Sequence, residues 1–261
     1  MTTSNRNLTL IAGAALVLTA FLTLIPPVYQ DPLYHSFADN RTLLGVPNFW
    51  NVFSNVAFLL AAIWGVRALV SHGAAFTEQW ERVAYATLLF GTAAVAAGSS
   101  YYHLHPDNQT LFWDRLPMTV VFMSLVATTL GERISMQAGK WSLAPLILLG
   151  VVSVFVWRWT GDLRLYGLIQ FGSMLLIPVL VITCPARYTG SERLWFLVIF
   201  YGLAKVAELL DHEIGAVIAT GGHPWKHLAA ACAIFCYIDA VVRRIPVSQA
   251  TSPVHPQLVL E

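Results

Sequence analysis

Two histidines lie four residues apart at the start of a long apolar stretch, and their spacing suits metal binding. His223 and His227 would stand one above the other on a helix. One helix can supply two zinc ligands through this geometry, and neutral imidazole is the commonest metal-binding side chain. Two histidines also occur at this spacing by chance, so the pair needs a third partner before it predicts a site.

A second polar cluster ends another apolar stretch. Ser99 and His103 are again four residues apart and share a helix face. Taken alone, His103 is more simply interpreted as a solvated residue at a helix end. His105 and His212 are alternative ligands, ranked lower because neither shares a helix face with a second candidate.

Asp114 stands at the start of a further apolar stretch, and two interpretations of it stay open. Aspartate is a preferred helix N-cap, and its charge suits the N-terminal end of a helix. Capping is therefore favoured when Asp114 is considered alone. A catalytic role becomes the better interpretation only if the fold brings this carboxylate to the histidines.

More charged residues crowd the end of the apolar stretch that precedes His223. Lys205 and Glu208 are three residues apart, so we expect them to pair and neutralise each other within a bundle. The neighbouring polar residues either orient metal-bound histidines or form a solvated helix end. They are Glu208, Asp211, His212 and Glu213.

The elements that must position these residues are membrane helices. The chain is 57% hydrophobic and 11% charged, whereas soluble domains carry about 25% charged residues. Apolar runs of about 20 residues cross a bilayer as helices, so the sequence predicts an all-α polytopic membrane helix bundle. No cluster of Lys and Arg indicates a nucleic-acid partner. Eight spans are predicted, at Leu8–Ile25, Phe49–Val70, Glu81–Tyr102, Asp114–Gly131, Leu143–Trp157, Leu165–Cys184, Leu194–Leu210 and Pro224–Val242.

The predicted organisation has three parts. Residues 1–30 hold an N-terminal transmembrane helix, 31–245 a seven-helix core, and 246–261 a flexible tail containing Pro and Ser. A cleaved signal peptide is the alternative for the first span. We favour a retained helix, because the run Pro26-Pro27-Val28-Tyr29 follows it in place of a small-residue cleavage pattern.

The distribution of Lys and Arg predicts the orientation in the membrane. With both termini cytoplasmic, nine basic side chains fall in cytoplasmic segments: Arg6, Arg67, Arg82, Arg133, Lys140, Arg187, Arg193, Arg243 and Arg244. Five fall in outer segments: Arg41, Arg115, Arg158, Arg164 and Lys226.

This orientation brings His103, Asp114, His223 and His227 to the outer, non-cytoplasmic face. Three protein ligands that leave one position open are typical of catalytic rather than structural zinc. Each of the three signals is weak alone, but the predicted topology places them at the same membrane face, and together they predict a zinc site.

Three motifs resemble those of the alkaline ceramidases. They are S-x-x-x-H from Ser99 to His103, W-D-R-L-P from Trp113 to Pro117, and H-P-x-K-H-L from His223 to Leu228. These enzymes belong to the CREST superfamily of membrane hydrolases, which also includes the adiponectin-receptor group. The similarity extends from about Tyr34 to Tyr237, and the segment from Asn48 to Asn55 resembles the start of the family's first helix.

The resemblance implies a function and a set of site residues. Zinc would be bound by His103, His223 and His227, and Asp114 and Ser99 would complete the active site of a CREST-like seven-helix core. The implied reaction is hydrolysis of the amide bond of a ceramide-like lipid, giving a fatty acid and a sphingoid base. Two alternatives stay open: a non-enzymatic receptor or transport-type bundle, and a zinc hydrolase of another lipid amide or ester.

The chain departs from the family pattern in two places. The first span, Leu8–Ile25, would precede the seven-helix core as an addition. Animal alkaline ceramidases also carry an acidic N-terminal calcium site. The matching stretch here offers Asp31, Asp39, Asn40 and Asn48 without any Glu, and calcium usually takes several carboxylate oxygens, so the case for calcium is weaker than that for zinc.

Overall fold

The computed structural model describes residues 20–21, 23–71 and 76–250, and within these ranges the chain is almost entirely helical, without any β-strand. Six helical segments in this part of the chain are long and apolar enough to cross a membrane. The predicted all-α polytopic bundle is therefore confirmed. Most of the predicted first span, and the tail after residue 250, lie outside the described residues.

The helices follow the predicted order, and most of their ends lie within three residues of the predicted bounds, but the helices that contain Asp114 and Leu143 begin six and seven residues earlier than predicted. They are α1 (Phe49–Phe53), α2 (Val56–Ser71), α3 (Gln79–Leu104), α4 (Asn108–Arg133), α5 (Met136–Thr160), α6 (Arg164–Gly167), α7 (Ser173–Thr183), α8 (Leu194–Leu209), α9 (Asp211–Gly215), α10 (His223–Arg243) and α11 (Val247–Ala250). A π-helical turn, Leu168–Gly172, joins α6 to α7. The expected loose tail thus begins with a short helix.

The predicted seven-helix core consists of six spanning segments and one shorter helix. The first spanning segment combines α1 with α2, and the fifth combines α6 with α7. Helix α8 has 16 residues, or about 24 Å, which is shorter than the roughly 30 Å of a bilayer's hydrocarbon core. It packs against α10, and so it belongs to the bundle.

Helix α4 begins six residues before the predicted start, which corrects the capping interpretation of Asp114. Asp107 is the N-cap: its Oδ1 accepts hydrogen bonds from the backbone amides of Gln109 and Thr110, both at 2.7 Å. The bond from the Thr110 amide lowers the pKa of the Asp107 carboxyl. Asp114 instead lies in the second turn and is buried. The prediction placed the boundary too late because the polar first turn hides the start of the helix.

Gly98 allows α3 and α4 to approach closely beside the predicted site. A Cβ atom there would collide with the backbone carbonyl of Trp113. The absence of a side chain therefore lets the two backbones touch one residue away from both Ser99 and Asp114. Helix α4 in turn packs along α5.

A buried ionic cluster joins the helices at the end opposite the histidines. Arg244, which follows α10, pairs with Glu81 of α3 at 2.8 Å and with Glu132 of α4. Its guanidinium also stacks 3.9 Å from the ring centroid of Tyr188. These contacts connect α3, α4 and the end of α10.

Candidate metal centre

The three predicted histidines meet at one end of the bundle. His103 ends α3, whereas His223 and His227 occupy the first two turns of α10. Their ring centroids lie 4.8, 5.0 and 4.9 Å apart, and one ligand nitrogen from each lies within 4.8 Å of the others. All three are buried, His103 completely. The expected meeting of imidazoles from two distant parts of the chain is confirmed.

The residues present fit a metal ion. Both ring nitrogens of His103 are buried without a hydrogen-bond partner, and burying a polar group unpaired is costly. Tetrahedral zinc ligands at 2.0–2.1 Å lie about 3.3 Å apart, so the rings need to close only slightly around an ion. Three imidazoles suit several transition metals, and the geometry shows a cluster that could hold a metal ion without selecting the metal.

A hydrogen-bond relay from α1 orients the ring of His227. Ser54 Oγ lies 2.8 Å from His227 Nδ1 and 3.1 Å from the carbonyl oxygen of Asn51. Since the hydroxyl donates its only proton to that carbonyl, it accepts one from Nδ1. His227 Nε2 then keeps the lone pair that a metal requires, the usual arrangement for a histidine ligand.

The other two histidines are positioned through their backbones. Asn48 Nδ2 donates to the carbonyl of His103 at 2.8 Å, which satisfies one of the unpaired carbonyls at the end of α3. Asp211 Oδ1 accepts from the amides of Gly222 and His223 at 2.7 and 2.8 Å. Two interpretations of Asp211 were open, a group that orients a histidine and a solvated helix end; it is buried and holds the start of α10 in place through backbone amides and not through an imidazole ring.

The segment before α1 covers the histidines. The Phe37 ring lies with its centroid 4.7 Å from that of His103 and 4.5 Å from that of His223. The next residue, Ala38, donates its amide to Asp211 Oδ2 at 2.9 Å. This apolar cover limits the access of water to the cluster from its end of the bundle.

Ser99 and Asp114 lie beside the histidines on the wall of one cavity, together with His227. Both are buried, and the Ser99 side chain lies beside the Asp114 carboxyl group. Lys226 also lines this cavity and is the cation that acts most strongly on the Asp114 carboxylate. The fold thus brings all five predicted site residues to the same end of the bundle.

A chain of charges extends from the cavity to the covering segment. Lys205 pairs with Glu208 as predicted, and Lys226 Nζ donates to Glu208 Oε1 at 2.6 Å. The Tyr34 hydroxyl donates to the same oxygen at 3.1 Å. Burial, and after it the charge of Glu208, hold the pKa of Tyr34 well above its usual value. Lys205 and Lys226 together carry two positive formal charges, which Glu208 and Asp114 balance.

The rest of the cavity is apolar and extends away from the histidines towards the middle of the bundle. Its walls reach Leu125 on α4, eleven residues or about 16 Å beyond Asp114. On α3 they reach Thr92, about 10 Å from Ser99. The π-helical turn contributes Gln170, whose Nε2 donates to Tyr201 at 3.0 Å. Such turns often occur at functional sites.

The remaining candidates lie elsewhere. His105 and His212 are exposed, and His212 Nε2 bonds to the carbonyl of Ser36 at 3.0 Å. Glu213 is exposed as well. Neither alternative histidine belongs to the metal-binding cluster found in the described part of the chain.

The residues considered for calcium have other roles. Asp31 accepts the amide of Leu33 at 2.8 Å as the N-cap of a short 3-10 helix. Buried Asp39 pairs with Arg41 and accepts the amide of Trp50. Asn40 is exposed and Asn48 bonds to the His103 carbonyl. The calcium site thus stays a prediction, and the contacts of these residues do not support it.

Sequence reasoning missed Ser54, Lys226 and Phe37. For Ser54 a signal was present: Asn48, Asn51 and Ser54 recur every three residues at the start of an apolar run, which places them near one helix face. Lys226 lies three residues after His223, and so it too faces the site. Nothing in the sequence pattern singles out Phe37.

No protein-family model matches this chain, and no curated protein matches it either.

Proposed function

We propose that the protein is a zinc-dependent amide hydrolase of ceramide-like lipids. One observation carries the proposal: His227, one of three clustered histidines, lines a cavity together with a buried carboxylate and a buried hydroxyl, and that cavity continues as an apolar channel. The motif resemblance to alkaline ceramidases supports the choice of an N-acyl sphingoid base as substrate.

His103, His223 and His227 would hold the zinc. The chemistry that zinc supplies in such a site is polarisation of a carbonyl oxygen and a lower pKa for water. Two residues would position these ligands: Ser54 orients the ring of His227, and Asp211 anchors the start of α10.

Asp114 and Ser99 perform the proton transfer and charge stabilisation. Asp114 accepts a proton from the water that adds to the amide carbonyl carbon, and then delivers a proton to the leaving nitrogen. Ser99 donates a hydrogen bond to the carbonyl oxygen as negative charge develops there. The C–N bond breaks, and the products are a fatty acid and a sphingoid base.

The apolar channel accommodates part of the lipid. It begins at the polar site and extends into the bundle between α3, α4 and α10, so an acyl chain fits with its carbonyl end at the histidines. The basic-residue distribution predicts that this end faces the non-cytoplasmic side.

Purified protein tests the proposal directly. We expect ceramide hydrolysis, about one zinc per chain, and loss of both after treatment with a chelator. His223→Ala with His227→Ala should abolish zinc binding and turnover, whereas His212→Ala, which changes an exposed histidine outside the cluster, should preserve both. Full turnover by the double variant would contradict the proposal.

Two rivals predict different outcomes. A transport-type bundle gains some support from the buried charges of Glu81 and Arg244 and the half-buried Glu132 at the opposite end, because solute paths carry ionisable groups at several depths. It predicts bound metal without lipid hydrolysis. A hydrolase of another lipid amide or ester predicts turnover of N-acyl ethanolamines or esters in place of ceramide, which mass spectrometry of the products distinguishes.

A further inference from the structure

A broad groove lies between α2 and α3 on the outside of the bundle, far from the histidines. Its wall is formed by apolar side chains including Leu59, Ile63, Val66 and Phe90. These four are 43–72% exposed, and among the described residues no other helix covers them. In a membrane, this surface lies against lipid chains.

Two arginines stand at one end of this groove. Arg67 lies in the last turns of α2 and Arg82 in the first turn of α3, and both line the groove. Both are exposed, and neither forms an ion pair with any residue that the structure describes. The sequence from residue 72 to residue 77 adds no acidic residue between them.

The nearest acids along the chain are already engaged or are not paired with the arginines. Glu81 accepts from Arg244, Tyr188 and Thr77. Glu78 belongs to the capping box of α3. The Arg82 guanidinium instead lies 5.6 Å from the ring centroid of Phe76, a groove residue. Neither arginine is ion-paired with Glu78 or Glu81, so both guanidinium groups are available to a ligand at this end of the groove.

Beyond the two arginines, the apolar walls of the groove are long enough to contact part of a lipid's acyl chains. Leu59 is eight residues, or about 12 Å, from Arg67 along α2, and Ala93 is about 16 Å from Arg82 along α3. A lipid with an anionic headgroup has the matching arrangement, since its charge lies at one end and its apolar chains extend from there. Basic pockets between membrane helices bind such headgroups, and the predicted orientation places this end at the cytoplasmic leaflet, where anionic lipids concentrate.

We propose that the groove between α2 and α3 binds an anionic phospholipid, with its headgroup at Arg67 and Arg82 and its chains along Leu59, Ile63 and Phe90. The site is separate from the hydrolytic one, because Arg82 and His103 are 21 residues apart on α3, or about 32 Å. The proposal therefore holds or fails independently of lipid hydrolysis.

Native mass spectrometry of the detergent-solubilised full chain tests the proposal, with phosphatidylglycerol and phosphatidylcholine of identical acyl chains as probes. We expect wild type to bind phosphatidylglycerol more tightly. The double variant R67Q/R82Q should lose about 30-fold in phosphatidylglycerol affinity, from two basic contacts near the surface, and keep its phosphatidylcholine affinity. Ala93→Phe, which fills the groove without changing charge, should also weaken phosphatidylglycerol binding.

The matched control is K140Q/R187Q, which removes two exposed cations that do not line the groove and that are predicted to lie on the same face. It should bind phosphatidylglycerol as wild type does. Helix content and elution volume confirm that each variant is folded, and if R67Q/R82Q is not, the single variants R67Q and R82Q replace it, each with an expected loss of about fivefold in phosphatidylglycerol affinity. Equal wild-type affinity for the two lipids, or an equal loss in the control variant, would overturn the proposal.

Discussion

The hydroxyl of Ser54 on the first spanning segment bonds to the imidazole of His227 on the last, at 2.8 Å. The two residues are 173 positions apart, and the bond directs the unprotonated nitrogen of His227 towards the other two histidines. Ser54 is therefore a positioning residue for the metal centre, although it is not itself a ligand.

Replacing Ser54 with alanine should weaken metal binding. Loss of a group that orients a ligand typically costs 10–100-fold in metal affinity, and we expect a loss in this range because His227 can then rotate or change tautomer. Competition with a chelator of known affinity measures it. Ser153→Ala is the control: Ser153 is equally buried but bonds to the Gly150 carbonyl at 2.6 Å, so unchanged affinity is expected there. Equal metal affinities of Ser54→Ala and Ser153→Ala would show that Ser54 does not orient a metal ligand.

Asp114→Asn should separate catalysis from metal binding. The amide has nearly the same shape but cannot accept a proton from water, so we expect turnover to fall about 10²–10⁴-fold while zinc content stays constant. Asp162→Asn is the control, since Asp162 pairs with Arg164 outside the cavity. Asp114→Asn that retained full activity would show that Asp114 is not the general base.

Gly98→Ala and Gly202→Ala should change stability in opposite directions. The added methyl at Gly98 meets the Trp113 carbonyl and forces α3 from α4, which we expect to cost about 1–3 kcal/mol and to misalign Ser99 with Asp114. At Gly202, in α8, nothing lies within 4 Å of the new methyl, and better helix propensity should gain up to about 1 kcal/mol. Thermal unfolding in detergent tests both, and a neutral Gly98→Ala would show that the close approach is not required.

Asp107 should make the start of α4 sensitive to acid. The pKa of Asp107 is lower in the folded state. The stabilisation that its charged carboxylate provides is therefore fully present above its unfolded pKa of about 3.9 and is lost as the pH falls through the folded pKa. Asp107→Ala should weaken the first turn by about 1 kcal/mol at neutral pH, and its difference from wild type should become smaller once the pH is below the folded pKa, because only the neutral cap then remains. Hydrogen exchange at Gln109 to Leu111, compared at each pH, measures this. Asp107→Asn keeps the capping acceptor and should lose the pH dependence; retained pH dependence there would contradict the assignment.

Helix periodicity explains how much of the site was predictable. Ser99 with His103, and His223 with His227, lie four residues apart, so any helix through them puts each pair on one face. The bounds of α10 differ from the prediction by one residue at each end, because the ends of its apolar run can be read directly from the sequence. The predicted start of α4 was wrong by six residues, because the first residues of the helix, Asn108 to Thr110, are polar and the capping bonds of Asp107 determine where the helix begins.

Contacts between helices account for what the pattern did not predict. Lys226 with Glu208, and Phe37 over His103, join residues whose separation in sequence bears no relation to their distance in space. Asp211 likewise bonds to the amides of Gly222 and His223 and not to an imidazole, which depends on how α9 turns back towards α10.

The sequence by itself determined the membrane class, the order of the helices and the two same-face pairs, because hydropathy and helical spacing are local properties of the chain. Only the tertiary structure decided that His103 meets His223 and His227, that Asp114 is buried beside Ser99, and that Ser54 orients His227. Those meetings depend on side-chain packing between helices, such as the backbone approach that Gly98 permits, and packing is decided by all the contacting residues together.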